Sequence, residues 1–456
     1  MRRVVKVSRI RIVMTIIVVI FVTLLTGCTG KEPNEIAYVV ALGIDSTDDD
    51  NYKITIQYAN TTQISGGASE SGGKAGSEIV DNVTIEAPNI YAGVGLANNI
   101  VSKSFSMSHA KLIVFSKEIA EKGVKDMIET LVRSEEIRPD VFIAVANTTA
   151  NDYLTSVNPE MEVNPAQYYQ LIYQKNQLVG IPDGQLREFF TGLYTDNYDS
   201  ILPIAGVIEG SGGNSQNDDK GQSKDGQNEG SEGSSESLDS FESKSSNEKD
   251  ENEKEKDAEK NTSKYEYDIK NYVGGETAIE KKNKAEAIGA AVFEKDKMVG
   301  ELGEVETEIC KMLKGDYTYS YLTYYNNDTP DIPITVKTTQ QKKPKYKIDT
   351  DKKTVDIELY IESDLYSLPA DYNVENKIED FERDVANYTS SACTEFINNF
   401  TKKYNSDILK LNEKIKYKFL TNNQYNWFKK NVGWSEYKFS VCTKFKVRRT
   451  GLIVRK

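Results

Sequence analysis

The chain has 456 residues, 57 Lys and Arg against 70 Asp and Glu for a formal net charge of −13, and 38% hydrophobic residues. That length implies more than one domain, and the acidic balance excludes nucleic-acid binding, which draws its affinity from Lys and Arg neutralising phosphates. One histidine and four cysteines leave little material for the commonest metal sites or for histidine acid–base catalysis.

Arg2, Arg3, Lys6, Arg9 and Arg11 precede an apolar run from Ile12 to Leu25, and Thr26-Gly27-Cys28 follows at once. Basic start, short apolar run and small residues before a cysteine read as a lipoprotein signal peptide ending in a lipobox. The run is shorter than the ~20 residues that usually cross a bilayer, and a plain transmembrane anchor would not need the small pair before the cysteine. The mature protein is expected to begin at Cys28, its thiol carrying diacylglycerol and its amine a further acyl chain, on the outer face of a cytoplasmic membrane. Two such chains make a stable anchor. Loss of the five leader charges takes the net charge to −18.

Ile36 to Ile44 is an unbroken apolar run that predicts a strand buried on both faces. A turn through Ser46 to Asn51 follows, then Tyr52, Ile54, Ile56 and Tyr58 alternate with polar residues, predicting a hairpin whose second face is solvated. Asp45, Asp48, Asp49 and Asp50 lack the glycine and distal glutamate of an EF-hand and read as an acidic turn. The Gly/Ser stretch Ser65 to Ser77 reads as a flexible hairpin loop. A helix is expected from Pro88 through Val101 and a strand over Leu112 to Phe115. Ser116 should then cap a helix in which Ala120, Val124, Met127, Ile128 and Leu131 recur at three and four. A strand at Val141 to Ala146, helical patterns at Pro165 to Gln174 and Gln185 to Phe190, and a strand at Ile201 to Val207 complete this half.

From Glu209 to Thr262 the chain turns to Ser, Gly, Asn, Gln, Glu, Asp and Lys. With 16 acids and 7 bases over residues 209–263, it cannot bury enough surface to offset its ordering entropy, and it reads as a disordered linker or surface loop. The second half predicts a hairpin of Ile288 to Phe293 with Met298 to Leu302, and another joining Tyr346 and Ile348 to Val355, Ile357, Leu359 and Ile361. In that second hairpin Lys345 and Lys347 share the polar face with Asp356 and Glu358, where cross-strand pairs help set register. The longest helix is expected over Val374 to about Tyr404, with Asn373 as cap, packed on a sheet. A last strand, Tyr437 to Val447, alternates strictly and should show its polar face to solvent.

The expected class is therefore α+β: a mixed α/β multidomain lipoprotein, its sheets flanked by helices, with a long helix near the C-terminus and a disordered central tract. The divisions are a signal peptide at 1–27, an N-terminal α/β domain at 28–208, an acidic Ser/Gly-rich linker at 209–263 and a C-terminal α+β domain at 264–456. No phosphate loop, dinucleotide fingerprint, nucleophile elbow or zinc spacing occurs, so no catalytic, cofactor-binding or metal residue is assigned. Cys393 falls on a helical stripe with Ile397, Phe400 and Tyr404 and reads as core. Cys442 faces outward as an incidental thiol, and three mature cysteines beside Cys28 cannot all pair within one chain. His109, at a strand edge, reads as structural. Asn60, Asn82 and Asn261 stand in glycan-acceptor triplets that a bacterial lipobox leaves unused.

The ordered segments carry a resemblance. Gly27-Cys28 is followed by Asn34-Glu35-Ile36-Ala37 and Leu42-Gly43-Ile44-Asp45, then by Ser108-His109-Ala110-Lys111, Ile119-Ala120-Glu121-Lys122-Gly123 and Arg133-Ser134-Glu135-Glu136-Ile137-Arg138. Ala290-Ala291-Val292-Phe293, Lys297-Met298-Val299-Gly300 and Asp407-Ile408-Leu409 continue the series. In order and spacing this resembles the C-subunit lipoproteins of nutrient germinant receptors in spore-forming bacteria, the Ger(x)C or GerAC type. The chain departs from the family in having Thr29-Gly30 where Trp-Asp is frequent, Pro139 where a second basic residue is frequent, and the long tract from 209.

The resemblance implies a non-enzymatic subunit without cofactor. Its partners would be a multi-spanning A subunit and a transporter-like B subunit in the spore inner membrane, where nutrient binding triggers germination. It implies three mixed α/β domains, two of them in the first folded half, and it carries over one functional residue, the lipidation site Cys28. The alternatives are a free-standing solute-binding lipoprotein that delivers a small ligand to a transporter from a cleft between two similar lobes, and a surface hydrolase.

Overall fold

Ile36–Ser46 (β1) is the strand its apolar run predicts, with Val39 to Ile44 buried on both faces. The structure is a computed structural model that describes residues 13–18, 35–49, 51–59, 80–157, 165–174, 180–195, 197–208, 271–277, 283–325, 333–367 and 374–450. Cys28, Asn373, the 65–77 stretch and the 209–263 tract, for which the sequence predicts an acylation site, a cap, a loop and disorder, lie outside these residues. Residues 13–18 are helical. Among the described residues no helix is long and apolar enough to cross a membrane.

β1 pairs antiparallel with Tyr52–Ala59 (β2), which pairs antiparallel with Val80–Ala87 (β3). On its other side β1 runs parallel to the short Ser104–Ser106 (β4) and then to Leu112–Ser116 (β5). Phe142–Ala146 (β6) and Ile201–Val207 (β7) continue the parallel centre. Ala285–Glu294 (β8) joins β7 antiparallel, and Lys297–Leu302 (β9) closes the far edge. The sheet thus runs without a break from residues 36–207 into the hairpin at 285–302, on the C-terminal side of the acidic tract. Its parallel centre is apolar on both faces because helices cover both.

One face packs Leu42, Ile44, Ile54, Ile56, Ile113, Phe115 and Ile143 against Ile90–Ala97 (α1), Lys117–Lys122 (α2), Lys125–Val132 (α3) and, after two intervening helices, α6. The opposite face packs Val40, Leu112, Val114 and Phe142 against Ala150–Ser156 (α4) and Pro165–Gln174 (α5). Leu186–Thr195 is α6, which turns Leu186 and Phe189 onto the first face. Each fully buried Ile, Leu or Phe contributes about 1.5–3 kcal/mol.

Three expectations for this half are corrected. The helix from Ser116 does not run on to Leu131. Ser116 caps α2 by accepting from the Ile119 amide, but Gly123 at φ +123° ends it, and the Val124 amide bonds to the Asp296 carbonyl before α3 begins. The helix after Pro88 stops at Ala97, capped by Asn89. The second face of β2 is not solvated either, because α4 and α5 cover Thr55 and Gln57. Gln57 donates to the Leu154 carbonyl at 2.9 Å and accepts from the Tyr169 hydroxyl at 2.5 Å. Thr55 shares the Asn151 side-chain oxygen with Thr84.

The second sheet is built on Thr354–Ser367 (β13). Tyr319–Tyr325 (β10) pairs with Pro333–Thr339 (β11), which covers the far half of one β13 edge, while Lys345–Asp349 (β12) covers its near half. Lys438–Arg449 (β14) lies parallel along the other edge. The predicted β12–β13 hairpin forms, with Tyr346 opposite Ile357 and Lys345 opposite Glu358, yet Glu358 takes its ion pair from Lys444 of β14 at 2.8 Å. Glu304–Lys314 (α7) and Val374–Tyr404 (α8) pack Cys310, Leu313, Cys393, Ile397 and Phe400 onto the apolar face of this sheet, with Leu411–Ile415 (α9) and Asn422–Asn431 (α10) beside them. α8 has the predicted bounds, and the polar face of β14 is exposed as predicted. The molecule is α+β, with two sheets flanked by helices and a long helix near the C-terminus.

Candidate functional site

The chemically densest region is a polar cleft where the first sheet meets the helices of the second. Residues 183–202 supply one wall, the α7–β10 turn at Lys314 to Thr318 the other, and Lys410 the rim, enclosing a cavity of about 480 Å³. Asp183, Glu188, Asp199 and Asp316 bring carboxylates to it, Lys314 and Lys410 ammonium groups.

α7 positions one wall because Glu304, Thr307, Glu308 and Lys311 recur at three- and four-residue spacing, so they share a stripe. That stripe faces inward. The Lys311 ammonium donates to the Ile181 carbonyl at 3.0 Å, and burial brings it down to about 8. Burial likewise pushes the Glu308 carboxyl up to about 7, although it accepts from Ser320 and from the Tyr317 hydroxyl at 3.3 Å. Glu304 is raised by burial and then by the carboxylate of Glu286. Asp183 is raised by burial, with Lys314 working against the shift. Gly315, at φ +82°, ends α7 in the left-handed cap that turns the chain into the wall, and a side chain there would meet Pro344.

At the rim, Lys410 pairs with Glu188 at 3.2 Å and lies 4.1 Å over the Tyr198 ring. Lys410 itself holds φ +55°, a left-handed conformation that costs a non-glycine residue about 1–2 kcal/mol. Next to it Asp407 is buried and caps the following helical turn, accepting from the amides of Leu411 at 2.7 Å and Asn412 at 2.8 Å. Burial, with a smaller contribution from the nearby Asp199 carboxylate, pushes Asp407 up to about 7. The 195–199 segment is held from the other side as well, since Tyr425 and Lys429 both donate to the Asn197 side-chain oxygen, at 3.1 and 3.2 Å.

Two carboxyls with values near 7 could exchange protons at neutral pH, but both are tied to donors that fix the chain. The arrangement is a fastening between the first sheet and the C-terminal helices, enclosing a polar cavity. Among the described residues no group of three or more His, Cys, Asp or Glu side chains could hold a metal ion.

The residues weighed in the sequence lie elsewhere. His109 is exposed, its ring edge-on to Tyr38 at 4.9 Å and Nδ1 3.0 Å from the Ser108 hydroxyl. Cys310 and Cys393 are buried and Cys442 is exposed, all three free. Asp45 belongs to no surface turn. It is buried, with its carboxylate on the amides of Ala150 at 2.6 Å and Asn151 at 3.0 Å, at the start of α4. Sequence reasoning did not assign Glu308, Lys311, Asp199 or Lys410, and it noted Asp407 only inside a family-like triplet. The charged stripe on α7, interleaved with Cys310 and Leu313, is the local signal that could have marked two of them.

Two family models match the chain in tandem. The one described as spore germination protein N-terminal domain covers residues 30–207, and the one described as spore germination B3/GerAC like, C-terminal, covers residues 288–451. Spore germination protein KC of Bacillus subtilis (strain 168) is 27% identical over 173 residues, which are 35% of this chain and 42% of that protein. Spore germination protein B3 of the same organism is 26% identical over 148 residues, 30% of this chain and 36% of that protein. The matched segments span less than half the length of these relatives. The crystal structure of the GerBC protein aligns with a TM-score of 0.47 at 15% identity, covering 89% of this chain and 96% of that one. With one model ending as the first run of strands ends at Val207 and the other beginning inside β8, and both halves matched in order, the chain belongs to the GerAC family of spore germination proteins.

Proposed function

We propose that this protein is the lipid-anchored, non-enzymatic C subunit of a nutrient germinant receptor in the spore inner membrane, acting with a multi-spanning A subunit and a transporter-like B subunit. The observation that carries this reading is the tandem family match over residues 30–207 and 288–451. The lipobox at Thr26-Gly27-Cys28 supports the anchor, with Cys28 as the acylated residue. The arrangement supports a non-enzymatic role, because the near-neutral carboxyls of Glu308 and Asp407 lie behind the cleft lining and are engaged in fastening the fold. Residues 28–208 and 264–456 would supply the docking surfaces, and residues 209–263 the connection from β7 to β8.

A free-standing solute-binding lipoprotein fits less well. It calls for two similar lobes, whereas one sheet has nine strands around a parallel centre and the other five strands with a single parallel pair.

The test is genetic and biochemical. Deleting the gene in a strain without paralogous receptors should abolish or slow nutrient-triggered germination while leaving the response to non-nutrient triggers intact; unchanged germination refutes the assignment. Crosslinking in spore membranes should recover the two integral subunits. Cys28→Ala should move the protein from the membrane to the soluble fraction, and full retention would make the apolar run itself the anchor.

A further inference from the structure

Away from the cleft, residues 410–430 concentrate positive charge. They hold six lysines against the single acid Glu413, in a chain of net charge −13. The same segment projects Leu420, Tyr417 and Trp427, exposed to 95%, 82% and 63%, the first two being the most exposed large hydrophobic side chains among the described residues.

The local fold explains the projection. α10 turns Tyr425 and Phe428 inward, and the Phe419 ring lies 5.7 Å and 5.1 Å from theirs, pinning the 416–420 turn against the inner side of the helix. With Phe419 used as the anchor, Tyr417 and Leu420 stand outward, and the Lys418 ammonium reaches back to the Ile348 carbonyl. Trp427 lies on α10 away from the buried pair and one turn before exposed Lys430.

We propose that residues 416–430 form a docking surface for an anionic lipid headgroup layer. Tyr417, Leu420 and Trp427 enter the interfacial zone, and Lys416 and Lys430 face the phosphates, while Lys418 ties the turn to β12 through the Ile348 carbonyl. Aromatic side chains favour that zone because one end is apolar and the other wet, and lysines close to an anionic surface are drawn to it. A leucine projecting on a turn needs no complementary pocket in a fluid layer, whereas protein partners bury their anchors in pockets. In its reach the proposal rests on the reading of Cys28 as anchor: the seven residues from Thr29 to Glu35 span at most about 25 Å, so the folded part stays close to the headgroups.

Trp427 supplies its own probe, since the other tryptophan, Trp434, is buried. The full chain is added to an excess of phosphatidylglycerol–phosphatidylcholine vesicles with brominated acyl chains, and to phosphatidylcholine vesicles of the same kind. In the anionic vesicles the emission should shift to the blue and lose at least half of its exposed component. Trp427→Phe should remove that quenching, and the double change Lys416→Glu, Lys430→Glu should weaken it several-fold. Emission unchanged by brominated lipid, quenching that is equal in neutral vesicles and indifferent to the lysines, or burial of Trp427 only by an added membrane protein each overturns the proposal. Flotation with Cys28→Ala reports on the anchor separately, so either reading can fail alone.

Discussion

The Asp199 carboxylate accepts a hydrogen bond from the amide of Asp407 at 2.9 Å, and the Asp199 amide donates to the Asp407 carbonyl at 3.2 Å. This reciprocal pair joins positions 208 residues apart, across the acidic tract, and ties the start of β7 to the helices of the second sheet.

Asp407 also satisfies the amides of Leu411 and Asn412, two of the donors a helical turn leaves open at its start. Asp407→Ala should therefore destabilise the fold by about 1–2 kcal/mol, read as a lower midpoint in a denaturant melt. Asp407→Asn, which keeps one acceptor, should lose less; an equal loss would show that the carboxylate does not act through its two amides.

The carboxyls of Glu308 and Asp407 are raised to about 7 in the folded chain. A raised carboxyl favours the folded state while it is protonated, so its contribution is complete below the unfolded value near 4 and is lost as pH rises through 7. Stability should fall from pH 6 to pH 8 by about 1.4 kcal/mol for each group. Glu308→Gln, neutral at every pH, should flatten that slope by one group's share in parallel melts at the two pH values.

A Cβ on Gly206 would lie 2.0 Å from the Gly274 carbonyl carbon and 2.1 Å from the Gly275 amide nitrogen, where the 271–277 segment passes over β7. Both neighbours are backbone, so Gly206→Ala should cost about 1–3 kcal/mol. Gly95, on an open face of α1 with nothing within 4 Å, is the control: Gly95→Ala should stabilise by about 0.5–1 kcal/mol. Thermal melts of the pair should move in opposite directions.

Burial pushes the Cys310 thiol up to about 11 and that of Cys393 up to about 12, while Cys442 is exposed. The thiolate is the reactive form. Maleimide at neutral pH should thus modify Cys442 in the native protein and reach Cys310 and Cys393 only in denaturant, as peptide mass mapping would show. Native labelling at Cys393 would contradict the packing of α8.

Much of the fold is legible locally. The β12–β13 register follows from two alternating strands and a turn, since a slip of one residue would turn Ile357 and Leu359 outward. The body of α8 follows from residues at helical spacing such as Phe381, Val385 and Phe396, whose burial the structure shows, although the helix is kinked at Lys377. Thr55 and Gln57 were misleading for an identifiable reason: polar residues alternating along a strand suit a solvated face and equally a face covered by helices that supply partners. Asp45 sits beside a turn in sequence, and nothing nearby tells that its acceptors serve amides 105 and 106 residues away. The cleft was the least legible part, because Glu188, Asp199, Lys314 and Lys410 come from four separate segments.

The sequence by itself determined most of the strands and helices, the acidic composition of residues 209–263 and the family, because each is written in local periodicity, composition or ordered short motifs. Only the tertiary structure decided that β8 and β9 complete the first sheet and that Asp199 meets Asp407. Those outcomes depend on pairings between segments up to 208 residues apart. Such pairings are selected by packing and by the need to satisfy buried polar groups, and they leave no periodic trace in either partner.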